Sequence, residues 1–174
     1  RYGAADPAIA TDLNNLAETR RLLAQYDRAE RLYLRAIALD EKAGKDAGPG
    51  LATSLNNLAL VYRAQKRFPE AEKLYLRSLS LLEQTLGSNH PDVAKSLNNL
   101  AVLYRVEGQP EKARPLQERA VTIAERSLGV QNATTKVFRQ NLAALGAAGP
   151  APAKAPAAKP TPAAKPTAPA AKPV

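Results

Sequence analysis

Cysteine, methionine and tryptophan are absent from this 174-residue chain, and histidine occurs once, at His90. Without cysteine there is no disulfide, no thiolate metal site and no cysteine nucleophile. One histidine excludes histidine-based metal clusters, so neither a metal nor a cofactor is expected. The compartment stays open: cytoplasmic, or periplasmic or secreted if a leader was removed upstream. The start at Arg1 rather than Met reads as a processed or trimmed piece. Aromatics make up only 5% of the residues, and abundant Ala and Leu favour helices over a β-sandwich. No run approaches the roughly 20 apolar residues a membrane-spanning helix needs. Acidic residues are missing after Glu125: up to there 18 Lys+Arg face 16 Asp+Glu, and beyond it come seven basic residues. The formal charge of +9 is therefore largely a property of the C-terminal region.

What is present is a repeat. The string LNNLA occurs at 13–17, 55–59 and 97–101, always 42 residues apart. Asn15, Asn57, Asn99 and Asn141 keep that step, as do Ala17, Ala59, Ala101 and Ala143, the prolines 7, 49 and 91, and the arginines 21, 63 and 105. A fixed period in the range of about 20–50 residues marks a solenoid-type array. Each unit carries two helical patterns. In the first, Leu97, Leu100, Ala101 and Tyr104 form an i, i+3, i+4, i+7 stripe behind a proline start, with Asp6 or Asn89/His90 as candidate caps. The second follows a short break such as EGQPEK; Ala71, Leu74, Tyr75, Ser78, Leu79 and Leu82 share one face, and Gly87 closes it as a C′ residue. Each unit is a helical hairpin that needs neighbours to cover its apolar stripe.

The stretch HPDVAKSLNNLAVLYRVEGQPEKARPLQERAVTIAERSLG resembles a tetratricopeptide repeat of the 42-residue kind found in kinesin light chains and bacterial repeat proteins. The resemblance covers about residues 3–146. Small residues stand at the close-contact positions (Ala17/Ala59/Ala101, Ala29/Ala71/Ala113, Ala36/Ser78/Ala120) and large ones at the bulky positions (Leu16/Leu58/Leu100, Tyr62/Tyr104, Tyr33/Tyr75). It implies an all-α fold: an α-solenoid of antiparallel helix hairpins winding into a right-handed superhelix. The expected organisation is the end of an upstream repeat at 1–5, repeats at 6–47, 48–89 and 90–131, a capping helix at 132–146, and a disordered Ala/Pro/Lys tail at 147–174. In that tail the pentamer PAAKP recurs three times, which favours extended, polyproline-like chain. Departures from the pattern are Arg20 in place of tyrosine, Gln117 in place of Tyr33 and Tyr75, Pro115 inside a second helix, the degenerate loop GKDAGPG at 44–50, and Arg139 in place of leucine on the terminal helix.

On the helix carrying LNNLA, Lys95, Asn98, Asn99, Val102 and Arg105 lie opposite the apolar stripe. The resemblance places that face on the concave groove of the superhelix. The candidate peptide-binding residues are therefore Asn14, Asn15, Asn56, Asn57, Asn98, Asn99, Asn141, Arg21, Arg63, Arg105 and Lys95. An amide both donates and accepts, as a peptide backbone demands. The resemblance further implies that the second asparagine of each pair contacts the ligand backbone or its terminal carboxylate. The competing reading is that the amides bond to neighbouring helices and set the superhelical pitch. Arginine's planar fork suits carboxylates, which points to an acidic peptide; the competing role for these arginines is pairing with Glu18, Glu107 and similar acids. His90 reads as a cap or loop residue.

No phosphate-binding glycine loop, metal cluster or nucleophile–base pair can be assembled, so an enzyme is not expected. The expected function is a protein-interaction scaffold that binds an extended, acidic peptide. A self-associating spacer, stacking end to end into homo-oligomers, is the alternative. Nucleic-acid binding through the basic tail ranks below both, because the repeat region is nearly charge-balanced and lacks aromatics for base stacking.

Overall fold

A computed structural model describes residues 7–44 and 48–147. The upstream helix end expected at 1–5 and the tail from 148 onward lie outside the described residues. Seven helices follow one another: α1 (Pro7–Leu22), α2 (Tyr26–Ala43), α3 (Gly48–Ala64), α4 (Phe68–Leu86), α5 (Pro91–Val106), α6 (Pro110–Leu128) and α7 (Ala133–Ala147). There is no strand among the described residues. The chain is an all-α repeat: α1/α2, α3/α4 and α5/α6 are antiparallel hairpins, each packed on the next, with α7 on α6.

Local chemistry sets the boundaries. His90 caps α5, its Nδ1 accepting from the Asp92 amide at 3.2 Å, and Pro91 follows, where a missing N–H costs nothing. Gly87 and Gly129 end α4 and α6 at positive φ, their amides donating to the carbonyls of Glu83 and Glu125. α6 starts at Pro110 and runs through Pro115, whose ring is exposed. Within the segment read as the loop GKDAGPG, residues 48–50 form the first turn of α3.

The three hairpin turns repeat one geometry. Residues Ala24, Lys66 and Gly108, in register, have φ of 55°, 61° and 73°. In each turn the next amide reaches back to close a Schellman-type ring, from Gln25 to Arg20, Arg67 to Tyr62 and Gln109 to Tyr104, at 2.8–2.9 Å. A side chain in this left-handed region costs about 1–2 kcal/mol. Gly108→Ala is therefore expected to destabilise by about 1 kcal/mol, and Lys66→Gly to be neutral or stabilising, in paired urea denaturation curves.

The core is built from the stripe residues. Tyr33, Tyr75, Leu55, Leu58, Leu97 and Leu100 are at most 1% exposed. The small residues Ala17, Ala29, Ala59, Ala71, Ala101 and Ala113 are likewise buried, letting paired helices approach closely. Between units, glutamates at the 42-residue step each pair with an arginine: Glu41–Arg77 at 2.7 Å, Glu83–Arg119 at 2.5 Å and Glu125–Arg139 at 2.7 Å. In the third, α7 supplies the arginine, so Arg139, standing where the other units have leucine, ties α7 to α6. The hydroxyls of Tyr62 and Tyr104 add a second periodic tie, to Glu30 and Glu72 of the preceding unit. Among the odd-numbered helices, α1 touches α3 and α5 touches α7, whereas the even-numbered ones are linked mainly by these long ion pairs. The odd-numbered helices form the layer that the family resemblance places on the concave side, the inner layer.

Candidate peptide-binding groove

The inner layer carries LNNLA on α1, α3 and α5 and Asn141 on α7. Asn14 of α1 donates to the Ser54 hydroxyl at 2.6 Å, which donates to Asp40 at 3.0 Å. Asn56 accepts from Asn99 of the next unit at 3.0 Å. Asn98 accepts from Asn141 at 2.8 Å and from the buried amide of Gln117 at 3.0 Å. The first asparagine of each pair therefore bonds across units.

The second asparagines keep more capacity. Asn15 is exposed, and Asn57 only accepts a long 3.4 Å bond from its neighbour Asn56. Asn99 and Asn141 each use one N–H on the preceding unit, and their carbonyl oxygens accept no bond among the described residues. Asn57 also lies where two open hollows meet. One, between α1 and α3, holds about 300 Å³ and is lined by Asn14, Asn15, Glu18 and Thr53; the other, toward α5, holds about 220 Å³ and is lined by Asn56, Lys95, Asp92 and Ser96.

The positive residues are not equivalent. Arg21 forms a two-pronged pair with Glu18, Nε at 2.7 Å and Nη2 at 2.6 Å, and Tyr33 donates to the same carboxylate at 2.9 Å. The Arg21 bonds hold the Glu18 carboxyl below its usual range, against the opposing effect of burial and with help from Tyr33. Lys95 pairs with Asp92 at 2.8 Å. Arg63 and Arg105 form no ion pair among the described residues. Of the four cations expected to line the groove, two are already matched by the chain itself.

Three residues outside the candidate site set join its polar network. Gln117 is 1% exposed and donates to Asn98 and to the Phe138 carbonyl, both at 3.0 Å. It stands where the other units carry tyrosine, and here its partner is the backbone of α7. Tyr33 and Asp40 belong to polar clusters assembled from distant positions, which periodicity does not reveal. Asp40 is 4% exposed; burial raises its pKa, partly opposed by the Ser54 hydroxyl. A raised native value means folding takes up a proton, so stability falls as pH rises from the unfolded carboxyl value through the native one. Asp40→Asn is expected to flatten that acid-side slope and to raise the melting temperature at neutral pH, checked by thermal melts across pH 3–8.

Antiparallel helical hairpins stacked one on the next define an α-helical repeat protein. Two tetratricopeptide-repeat family models match, over residues 50–126 and 15–80. The chain belongs to the tetratricopeptide-repeat family, and its repeats are of the kinesin-light-chain type. BtubC (BKLC) from P. vanneervenii is similar in structure, with a TM-score of 0.73 and 27% identity over 80% of this chain and 56% of that one. A putative kinesin light chain with nearly identical TPR-like repeats from Podosopora anserina gives 0.72 and 26%, over 80% and 66%. The chain thus spans about 56–66% of the length of these two structures. The N-terminal domain of stress-induced protein-1 from C. elegans shares the fold, with a TM-score of 0.57 at 19% identity over 79% of this chain and 98% of that one. No curated protein matches by sequence. Tetratricopeptide repeats generally mediate protein–protein interaction, and the fold is typically non-catalytic.

Proposed function

We propose that this protein binds an extended, acidic peptide segment along the inner layer formed by α1, α3, α5 and α7. The observation that carries this reading is the pair Arg63 and Arg105, in register on one face and without carboxylate partners among the described residues. Beside them run Asn15 and Asn57, with the acceptor oxygens of Asn99 and Asn141, suited to the N–H and C=O groups of a peptide backbone. Arg21 and Lys95 contribute less, because Glu18 and Asp92 neutralise them. Affinity is modest, since an extended ligand must be ordered as it binds.

The test is titration of the full chain with pooled acidic and neutral peptides, beside an Arg63→Gln/Arg105→Gln double variant. Both side chains lie outside the core, so the variant retains its fold, verified by circular dichroism. Loss of charge-assisted contacts should weaken acidic peptides by about tenfold or more and steepen nothing for neutral ones. Equal binding of acidic and neutral peptides by both proteins would remove the acidic preference. Absence of binding to any peptide would remove the groove function.

A further inference from the structure

Two positions of the first unit carry an acid where the second unit has leucine, and in both cases the hydroxyl 42 residues after the one that bonds the acid is buried and without a partner. Glu18 corresponds to Leu60, and the Tyr33 hydroxyl that bonds Glu18 corresponds to that of Tyr75, which is buried and unbonded. Asp40 corresponds to Leu82, and Ser54, which bonds Asp40, corresponds to Ser96, whose buried oxygen is also unbonded.

The first of these places has the stronger chemistry. In the first unit, an arginine fork and a tyrosine hydroxyl converge on one carboxylate: Arg21 with two bonds and Tyr33 with one. Forty-two residues on, the same arginine and tyrosine are present as Arg63 and Tyr75. The carboxylate is the one component the second unit lacks. Burial raises the Tyr75 hydroxyl to about 12, and the positive charges of Arg63 and Arg21 pull it back. Tyr75 is fully buried, whereas Leu60, which packs at the edge of the same cluster, is only half-buried.

We infer that Arg63 and Tyr75 form a carboxylate-binding site for the ligand, and that Glu18 occupies the equivalent site in the first unit as a built-in substitute. The inference rests on the groove reading above and sharpens it. The ligand's acid docks at the second unit and is excluded from the first. The chemistry recognised is a carboxylate, carried by an acidic side chain or by a chain terminus.

The test follows arginine side-chain Nε–H signals by NMR in the full chain. Three acetylated pentapeptide probes are titrated: one amidated with a central glutamate, one all-alanine with a free C-terminal carboxylate, and one all-alanine and amidated. The expected result is movement of the Arg63 signal, with Arg21 still, for a carboxylate-bearing probe. Movement with the glutamate probe alone assigns a side chain as the ligand acid, and movement with the free-terminus probe alone assigns a terminus. Leu60→Glu supplies the acid internally and should weaken the active probe about tenfold or more. Glu18→Leu releases Arg21, whose signal should then respond as well.

A second readout needs no ligand. The carboxyl introduced by Leu60→Glu should titrate below an ordinary glutamate, as Glu18 does. An ordinary titration of that carboxyl, or an Arg63 signal that stays still while Asn57 and Asn99 amides respond, overturns the carboxylate site and leaves the groove reading standing. If no probe moves any inner-layer signal, both fall.

Discussion

Leu58→Ala and Leu100→Ala should each cost about 3 kcal/mol in urea denaturation, while the equivalent Leu16→Ala should cost less than about 1 kcal/mol. The three leucines occupy the same position of the same motif. Leu58 and Leu100 are 1% exposed, whereas Leu16 is 44% exposed. The difference arises from neighbours: a preceding unit packs on α3 and on α5, through α2 and α4, and among the described residues nothing packs on the outer side of α1. A deleted side chain in the filled interior forfeits both its transfer energy and its packing contacts, because the surroundings close only partly over the gap. At Leu16 about half of that surface is already in water. Unfolding of a repeat array can proceed unit by unit, so the curves need two probes, circular dichroism and tyrosine fluorescence, to verify one transition. Equal losses at Leu16 and Leu58 would mean that another surface covers α1 in solution.

Much of this fold was legible in the sequence because its rules are local and recur. The proline starts, the closing glycines and the 3.6-residue stripes each fix one helix, and the 42-residue step multiplies them. Contacts between units were less legible. Glu41–Arg77 and Glu83–Arg119 join positions 36 apart and are repeated at the same step, so a search for charge pairs within the period would find them. Gln117 is different: its partners lie on α5 and α7 at once, and no single helix pattern encodes that convergence. For the groove, the residue types were readable and their state of pairing was not. Arg21, Arg63 and Arg105 look alike in sequence, and only the side-chain geometry shows that Glu18 claims the first.

The paired amides themselves are expected to divide by role. Asn98→Ala should destabilise the protein by about 2 kcal/mol, and Asn57→Ala by less than about 0.5 kcal/mol. Asn98 accepts two hydrogen bonds, one from Gln117, which is 1% exposed, and one from Asn141 of α7. Removing that oxygen leaves a buried amide N–H of Gln117 with only the Phe138 carbonyl to satisfy its donors, and it cuts a tie between α5 and α7. Hydrogen exchange should report the second effect directly, with faster exchange along α7 than in α3 or α4. Asn57 accepts one weak bond and lies open to both hollows, so its loss disturbs little that holds the fold. The same substitution should weaken peptide binding if the second asparagine holds ligand backbone. A loss of stability at Asn57 equal to that at Asn98 would assign both amides to architecture, and peptide recognition would then rest on Arg63 and Arg105 alone.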